Sequence, residues 1–502
     1  MGESLQPRES TGGNENSRPR MTRRAFITCS LLGIGAASAA TAGVVLGRPV
    51  HPRSSGAALD KLSTFPELDG TLTDATGVIA RYLQDAQGIA VLRGTYYLDG
   101  PVEVPHNVTQ LVLPATSALH VRGNHPALTR MGKVTFRETT WRDMPEKTVR
   151  LDVRNSSLYK AGETVLLSGA NVVPNSKDRY GYLRRVTAVD AGTISIDAPL
   201  PRTIDDVART SSVELAPPLW VSGSGQIMSD DPSAMFSPLV HFFATEGPKI
   251  TGVRVGHSGA AGVTLSHCMG GLIDCEISDL LDDGEAHFGY GVNITGATRD
   301  ARVLGRMSRV RHAVTTNTGQ HLGGVGYAGE PENCYFAPQA SDCSNKAIDT
   351  HRVGWGIVIV PHVVGGNGGV QVRSDNATVK GGSVEGSSGP GIFVSSVVKV
   401  PTSISDVSVS ALSGGQTGIL CKGPAEISDA RIDLTGGTGI EIFNDSTVSR
   451  GSVIGTPDTG LAINGVRNTV DGLAVGPTVR RQSVVVKPDD NNRVLLAAAP
   501  MR

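Results

Sequence analysis

Ala347-Ile348-Asp349-Thr350, Gly369-Val370-Gln371-Val372 and Gly391-Ile392-Phe393-Val394 follow one another at steps of 22 residues. Each is a small residue, an aliphatic, a variable residue and a mostly apolar fourth. The pattern recurs upstream as Gly262-Val263-Thr264-Leu265, Gly291-Val292-Asn293-Ile294 and Ala313-Val314-Thr315-Thr316. Downstream it recurs as Gly418-Ile419-Leu420-Cys421, Gly439-Ile440-Glu441-Ile442 and Gly460-Leu461-Ala462-Ile463. The steps between the small residues are 29, 22, 34, 22, 22, 27, 21 and 21, so the basic unit is 21–22 residues and the longer steps carry insertions. A unit this short cannot bury its own apolar face, whereas stacked copies can. Alternation along a strand turns the second and fourth residues inward and the third outward. A β-sandwich with coincidental spacing would not keep an aliphatic second residue through every register. The pattern predicts a right-handed parallel β-helix over residues 209–477.

The same register predicts what stacks on the outer face. The third position runs Thr264, Asn293, Thr315, Asp349, Gln371, Phe393, Leu420, Glu441, Ala462. Two residues further on it runs Ser266, Thr295, Asn317, His351, Arg373, Ser395, Lys422, Phe443, Asn464. Neighbouring strands lie about 4.8 Å apart. Asp349, His351, Gln371 and Arg373 are therefore expected to form one exposed patch, with Asn293, Thr315 and Asn317 on the layers before it. An acid and a base, a cation for a carboxylate, and amides or hydroxyls for sugar hydroxyls are what a glycan site requires. The 29-residue step carries "DLLDDGEAHFGY" (279–290) and the 34-residue step carries "TGQHLGGVGYAGEPEN" (318–333). One insertion at each end of the ladder strand is expected to wall a groove. They contribute Asp282, Asp283, Glu285, His287, His321 and Tyr327, and the turn before Thr315 adds Arg309, Arg311 and His312. Asp282, Asp283 and Glu285 offer oxygens to a calcium ion, a hard cation. The structural alternative for the patch is a solvated face held by an Asp349–Arg373 ion pair.

Ahead of the repeat, Leu72 to Gln87 reads as a helix. Thr73 or Asp74 can cap it, and Val78, Ile79, Tyr82 and Leu83 form its apolar stripe. Short strands then alternate with Gly, Pro and Asn turns through "IAVLRGTYYLDGPVEVPHNVTQLVLP" (89–114). This order of helix, Gly-Thr-Tyr and short strands resembles the N-terminal cap and first coils of the pectate-lyase-like superfamily, which implies that the helix plugs the open end of the stack. In residues 146–208, "TVRLDV", "TVLLSG", "YLRRVTAV" and "TISIDA" alternate like antiparallel strands, so a small inserted β subdomain is expected there. Residues 66–145 are read as cap and first coils, and 478–502 as a tail.

The strand "KAIDTH" (346–351) followed by "GIVI" resembles the Asp-x-His strand of alginate epimerases and related uronan lyases. In that family the Asp and His help remove and return the proton at C5 of a uronate, with a Tyr opposite. The resemblance places Asp349 and His351 in those roles. The family's Tyr three residues before the Asp is Lys346 here, and the acid one coil later is Arg373.

Composition agrees with a thin core of small and β-branched residues, since aromatics are 4% of the chain while glycine reaches 62 residues. A net charge of -1 excludes a strongly basic nucleic-acid binder. Gly-rich pieces such as "GGNGGV" follow the coil period and lack a phosphate-binding lysine pattern. Thr22-Arg23-Arg24-Ala25-Phe26-Ile27 opens an uncharged Ala/Gly/Leu stretch to Leu46 with small-x-small cleavage sites, resembling a twin-arginine export signal. Residues 1–46 are read as this leader, with Met21 as an alternative start, and 47–65 as a linker. An uncleaved membrane anchor is the alternative. Cleavage leaves a secreted body with no stable membrane association. Beyond Cys29 the five cysteines Cys268, Cys275, Cys334, Cys343 and Cys421 are read as buried thiols, with a Cys334–Cys343 or Cys268–Cys275 bridge as the alternative.

Together these features predict a secreted protein with a polysaccharide partner and no obligatory cofactor, acting as a lyase or epimerase on a uronic-acid-containing glycan. Asp349, His351, Arg373 and His312 are the candidate catalytic residues. Asn293, Thr315, Asn317, Gln371, Arg311, Tyr327 and Lys346 are the candidate binding residues. Glycoside hydrolysis, and a non-catalytic, tailspike-like glycan-binding module, are the alternatives.

Overall fold

The computed structural model describes residues 74–140, 142–172, 179–205, 208–318, 329–351, 353–478, 482–486 and 491–497. The leader, the linker, Thr73, His321 and Tyr327 lie outside these residues.

The chain is a parallel β-solenoid. One parallel sheet of 13 strands carries the repeat, and a second of 24 strands closes the stack around the core. Later coils each give the second sheet two strands, as in Val358–Ile359 and His362–Val364, so a coil has three straight sides. The predicted register holds through the whole repeat. Val263 pairs with Val292, Val292 with Val314, Val314 with Ile348 and Ile348 with Val370. The ladder then continues through Ile392, Ile419, Ile440 and Leu461. All nine of these side chains are fully buried, because each lies on an aliphatic neighbour one layer above and below.

The small first position has a steric cause. A Cβ at Gly369 would lie 2.1 Å from the carbonyl oxygen of Gly391, and one at Gly391 would lie 2.6 Å from that of Gly418. The chain turns a corner there, and the next coil passes too close for a side chain.

The N-terminal helix spans Thr76–Asp85. Asp74 Oδ1 accepts the Thr76 N–H at 2.8 Å. Ile79 and Leu83 are buried in the core of the first coils, with Val78 and Tyr82 packed beside them. The helix thereby covers apolar side chains that an open end would expose.

The antiparallel subdomain is wider than residues 146–208. Its six strands run Lys133–Thr139, Arg209–Glu214, Thr164–Val172, Arg179–Asp190, Thr193–Ile196 and Arg150–Asp152 across the sheet. Lys133–Thr139 pairs antiparallel with Arg209–Glu214, and this draws both flanks into the subdomain. It has a separate core that includes Leu151, Val165, Leu167, Tyr182, Val186 and Ile194. The C-terminal segment read as a tail extends the solenoid instead. Gln482–Val486 pairs with Thr459–Ile463, and Arg493–Ala497 with Thr469–Val475. Five cysteines are free and buried, with no bridge between them. Burial pushes the Cys268, Cys334 and Cys343 thiols up to about 12.

Candidate functional site

The ladder strands bring the predicted residues together in two adjoining groups. The first centres on Asp349. Its neighbours in register are Thr315 on one side and Gln371 on the other. Arg373 Nη2 donates to Asp349 Oδ2 at 2.7 Å, and His312 Nε2 stands 3.7 Å from the same oxygen. Asp349 was expected to be exposed, and it is fully buried. The register is not at fault, since Ile348 points into the core. The carboxylate lies on the outer face but is covered there, with Arg373 and His312 against it. Its second oxygen, Oδ1, has no hydrogen-bond partner among the described residues. Burial pushes the carboxyl up to about 6, outweighing the attraction of Arg373.

His312 is 3% exposed and stacks on Tyr290 at 5.5 Å between ring centroids. Its Nδ1 faces the Lys346 carbonyl oxygen at 2.5 Å. Burial holds it down to about 4, so the ring is neutral at physiological pH. Lys346 donates to the Asn367 carbonyl at 2.6 Å, and burial lowers its ammonium below the usual range. Thr315 is fully buried, and its hydroxyl donates to the Thr316 carbonyl at 3.4 Å.

The second group climbs the ladder. Asn317 Nδ2 donates to Asn293 Oδ1 at 3.0 Å, and Asn317 Oδ1 lies 3.2 Å from His351 Nδ1. With the amide oxygen turned to the ring it accepts from Nδ1–H, the tautomer that leaves the lone pair of a neutral imidazole at Nε2. His351 and Arg373 are both half-buried.

The 279–290 insertion flanks the first group, but Asp282 and Asp283 are already engaged. Asp283 Oδ1 accepts the N–H groups of Glu285, Ala286 and His287, and Asp283 Oδ2 lies 2.6 Å from His287 Nδ1. These donors hold the Asp283 carboxyl far below its usual range. Asp282 accepts from Arg311 Nη1 at 2.7 Å and from Ser344 Oγ at 2.5 Å. Arg311 also lies over the Phe288 ring at 4.9 Å. Among the described residues no cluster of His, Cys, Asp and Glu is arranged to hold a metal, and the calcium reading of Asp282, Asp283 and Glu285 gains no support from their contacts.

Beside Arg373 a small cavity of about 60 Å³ opens between solenoid and subdomain, lined by Tyr180, Arg202, Arg373, Asp375, Val397 and Lys399 among others. No local pattern points to Tyr180 or Arg202 here, because they come from the inserted subdomain. Asp375 and Lys399 lie on the ladder coils two and four residues past the outward positions Arg373 and Ser395.

No protein-family model matches the chain, and no curated protein matches it. Solved structures do. The tailspike gp61 of Pseudomonas phage phi297 superposes with a TM-score of 0.61 at 13% identity, covering 80% of this chain and 73% of that one. The Gp54 tailspike of Acinetobacter baumannii bacteriophage AP22, in complex with A. baumannii capsular saccharide, gives 0.52 at 12%, covering 86% and 75%. The tailspike gp49 of Pseudomonas phage LKA1 gives 0.52 at 13%, covering 85% and 76%. Identities this low carry the fold and nothing finer.

Proposed function

We propose that this chain is a polysaccharide-acting β-helix protein that moves the C5 proton of a uronate residue, as a lyase or an epimerase. The observation that carries the reading is His351. Its Nδ1 faces the Asn293–Asn317 amide chain, and it stands on the coil next to Arg373, where an imidazole can serve as general base. Arg373 supplies the charge that a uronate carboxylate needs if the adjacent carbon is to lose a proton. Asp349 serves as the buried anchor that orients Arg373. Its burial argues against direct contact with a sugar. Glycoside hydrolysis needs two carboxyl groups facing one bond across about 5–9.5 Å. Asp349 is covered, Asp282 is held by Arg311 and Ser344, and Asp283 is spent on its own loop, which leaves exposed Glu285 without a partner acid among these, so the proton-transfer reading is the better supported.

The test is a screen of purified protein on acidic and neutral polysaccharides, reading unsaturated uronate ends, C5 inversion and new reducing ends separately. Unsaturated ends or inversion support the reading. Plain reducing ends point to hydrolysis. Binding without any product points to a glycan-binding module, the activity suggested by the tailspike that carries a saccharide. We further propose export through the twin-arginine leader. Replacing Arg23 and Arg24 by lysine is expected to hold the precursor in the cytoplasm, and unchanged secretion would count against it.

A further inference from the structure

The cavity between subdomain and solenoid has a composition that the core of neither unit explains. Three of its side chains are cations: Arg202 from the subdomain, and Arg373 and Lys399 from consecutive coils. Its one acid, Asp375, is fully committed. Its Oδ2 takes Arg202 at 2.7 Å, and its Oδ1 takes the backbone N–H groups of Lys399 and Val400 at 2.5 and 2.9 Å. Arg373 spends one N–H on Asp349, and its Nε is buried with no acceptor among the described residues. An anion in the cavity would meet the charge of a guanidinium that Asp349 neutralises from one side only. Lys399 is exposed at the mouth, and its ammonium makes only a long 3.5 Å contact to the Ser396 carbonyl. Tyr180 forms the opposite wall, fixed by Arg202 stacked on its ring at 4.9 Å.

Size narrows the occupant. A volume of about 60 Å³ is small beside the roughly 300–1,000 Å³ of pockets that enclose a whole small-molecule ligand. It admits a carboxylate but not a pyranose ring, so the ring would lie at the mouth. Val353 and Gly354, two and three residues after His351, line the same cavity. A sugar whose carboxylate entered here would therefore lie next to the candidate base.

We propose that this cavity is the carboxylate-recognition subsite for an acidic sugar, and that the inserted subdomain contributes to it through Tyr180 and Arg202. The proposal rests on the polysaccharide reading above and deepens it: the subdomain selects for charge, and the ladder supplies the chemistry. Arg373 is the shared residue, placed between the subsite and Asp349.

The experiment compares binding of alginate and pectate oligosaccharides, and of their carboxyl-reduced counterparts, to the full chain and to Lys399→Glu and Tyr180→Ala by calorimetry. Arg202 is left intact because it also holds the subdomain in place. The wild type should bind at least one acidic oligosaccharide about tenfold or more tightly than its reduced form, the effect of one well-placed charge pair. Lys399→Glu should erase most of that preference while the fold, followed by circular dichroism, is unchanged. Tyr180→Ala should weaken acidic and reduced forms alike, through loss of the wall. Equal binding of acidic and reduced forms, or an undiminished preference in Lys399→Glu, overturns the subsite but leaves the polysaccharide reading standing. A sulfated glycan bound in preference to the carboxylated ones overturns the carboxylate assignment. No binding of any of these glycans, together with no turnover in the broader screen, overturns both.

Discussion

Two residues a few ångströms apart, Asp349 and His312, carry opposite dependences on pH. The native state holds the Asp349 proton up to about pH 6, whereas an unfolded aspartate releases it near 4. Between those values the native state binds more protons, so this contribution to stability falls as pH rises. His312 is neutral in the native state down to about pH 4, while an unfolded histidine protonates near 6.5. Its contribution therefore rises with pH over nearly the same window, and each is of the order of 3 kcal/mol at full extent. Half-buried His241, held down to about 4 by desolvation, adds to the rising side. In urea titrations from pH 4 to 7, Asp349→Asn should steepen the rise of stability with pH, and His312→Gln should flatten it. Identical slopes in both variants and the wild type would show that neither shift is real. His351 behaves differently, being half-buried and outside that pair. His351→Ala should lower turnover on the right glycan by about 10²–10⁴ and change stability by no more than about 0.5 kcal/mol. Full turnover in this variant would move the base elsewhere. The identity of these groups was legible in the sequence, because the register lists what each layer presents outward. The burial of Asp349 was not, because a register says which face a side chain takes and not what else covers that face.

At the scale of a coil, the small first position and the aliphatic second position do different work, and substitutions separate them. Ile392→Ala removes a fully buried side chain from between Val370 and Ile419. It should cost about 2–5 kcal/mol in denaturation midpoint measurements. Gly391→Ala adds a Cβ 2.4 Å from a Val409 methyl and 2.6 Å from the Gly418 carbonyl. It should cost about 1–3 kcal/mol by overpacking, although alanine is usually harmless in place of a buried glycine. The equivalent positions Ala313 and Ala347 already carry that methyl group, which marks the corner as wider in those two coils. A neutral Gly391→Ala would show that the corner relaxes. The period of 21–22 residues and the aliphatic ladder were enough to set register, layer by layer. The edges of the elements were not equally legible. Lys133–Thr139 alternates like any ladder strand, and a period of two does not encode whether the partner runs parallel or antiparallel. The same limit hid the last coil, where Gln482–Val486 and Arg493–Ala497 look like a tail unless their partners are known.

For the whole molecule, the attachment of subdomain to solenoid rests on buried charge, and removing one charge tests how the two units share stability. Arg184 is fully buried and Glu332 5% exposed. They form a two-pronged bridge at 2.6 and 2.9 Å, and the remaining Arg184 donors go to the carbonyls of Leu183, Ala198 and Pro199. Beside it Glu330, also fully buried, accepts from Tyr182 at 2.5 Å and from Arg202 at 2.8 Å, and Arg299 reaches Asp197 at 2.8 Å. These contacts join residues 102 to 148 positions apart, which is why no local pattern announced them. Breaking a buried pair from one side typically costs about 3–5 kcal/mol, since the survivor keeps an uncompensated charge. Glu332→Gln should therefore destabilise strongly. Arg309→Ala, which breaks the solvent-exposed Arg309–Asp279 pair, should cost no more than about 1 kcal/mol. The subdomain has its own core, so the loss should be local. In Glu332→Gln, hydrogen exchange should quicken along Arg179–Asp190 and Thr164–Val172 while the ladder strands Val370–Val372 and Ile392–Val394 keep their protection. Uniform loss of protection in both regions would mean that solenoid and subdomain unfold as one unit. Unchanged exchange in both would mean that the bridge carries no docking energy. If the subdomain loosens alone, Tyr180 and Arg202 leave their places with it, and any preference of the adjoining cavity for a carboxylate should fall in step with the local protection.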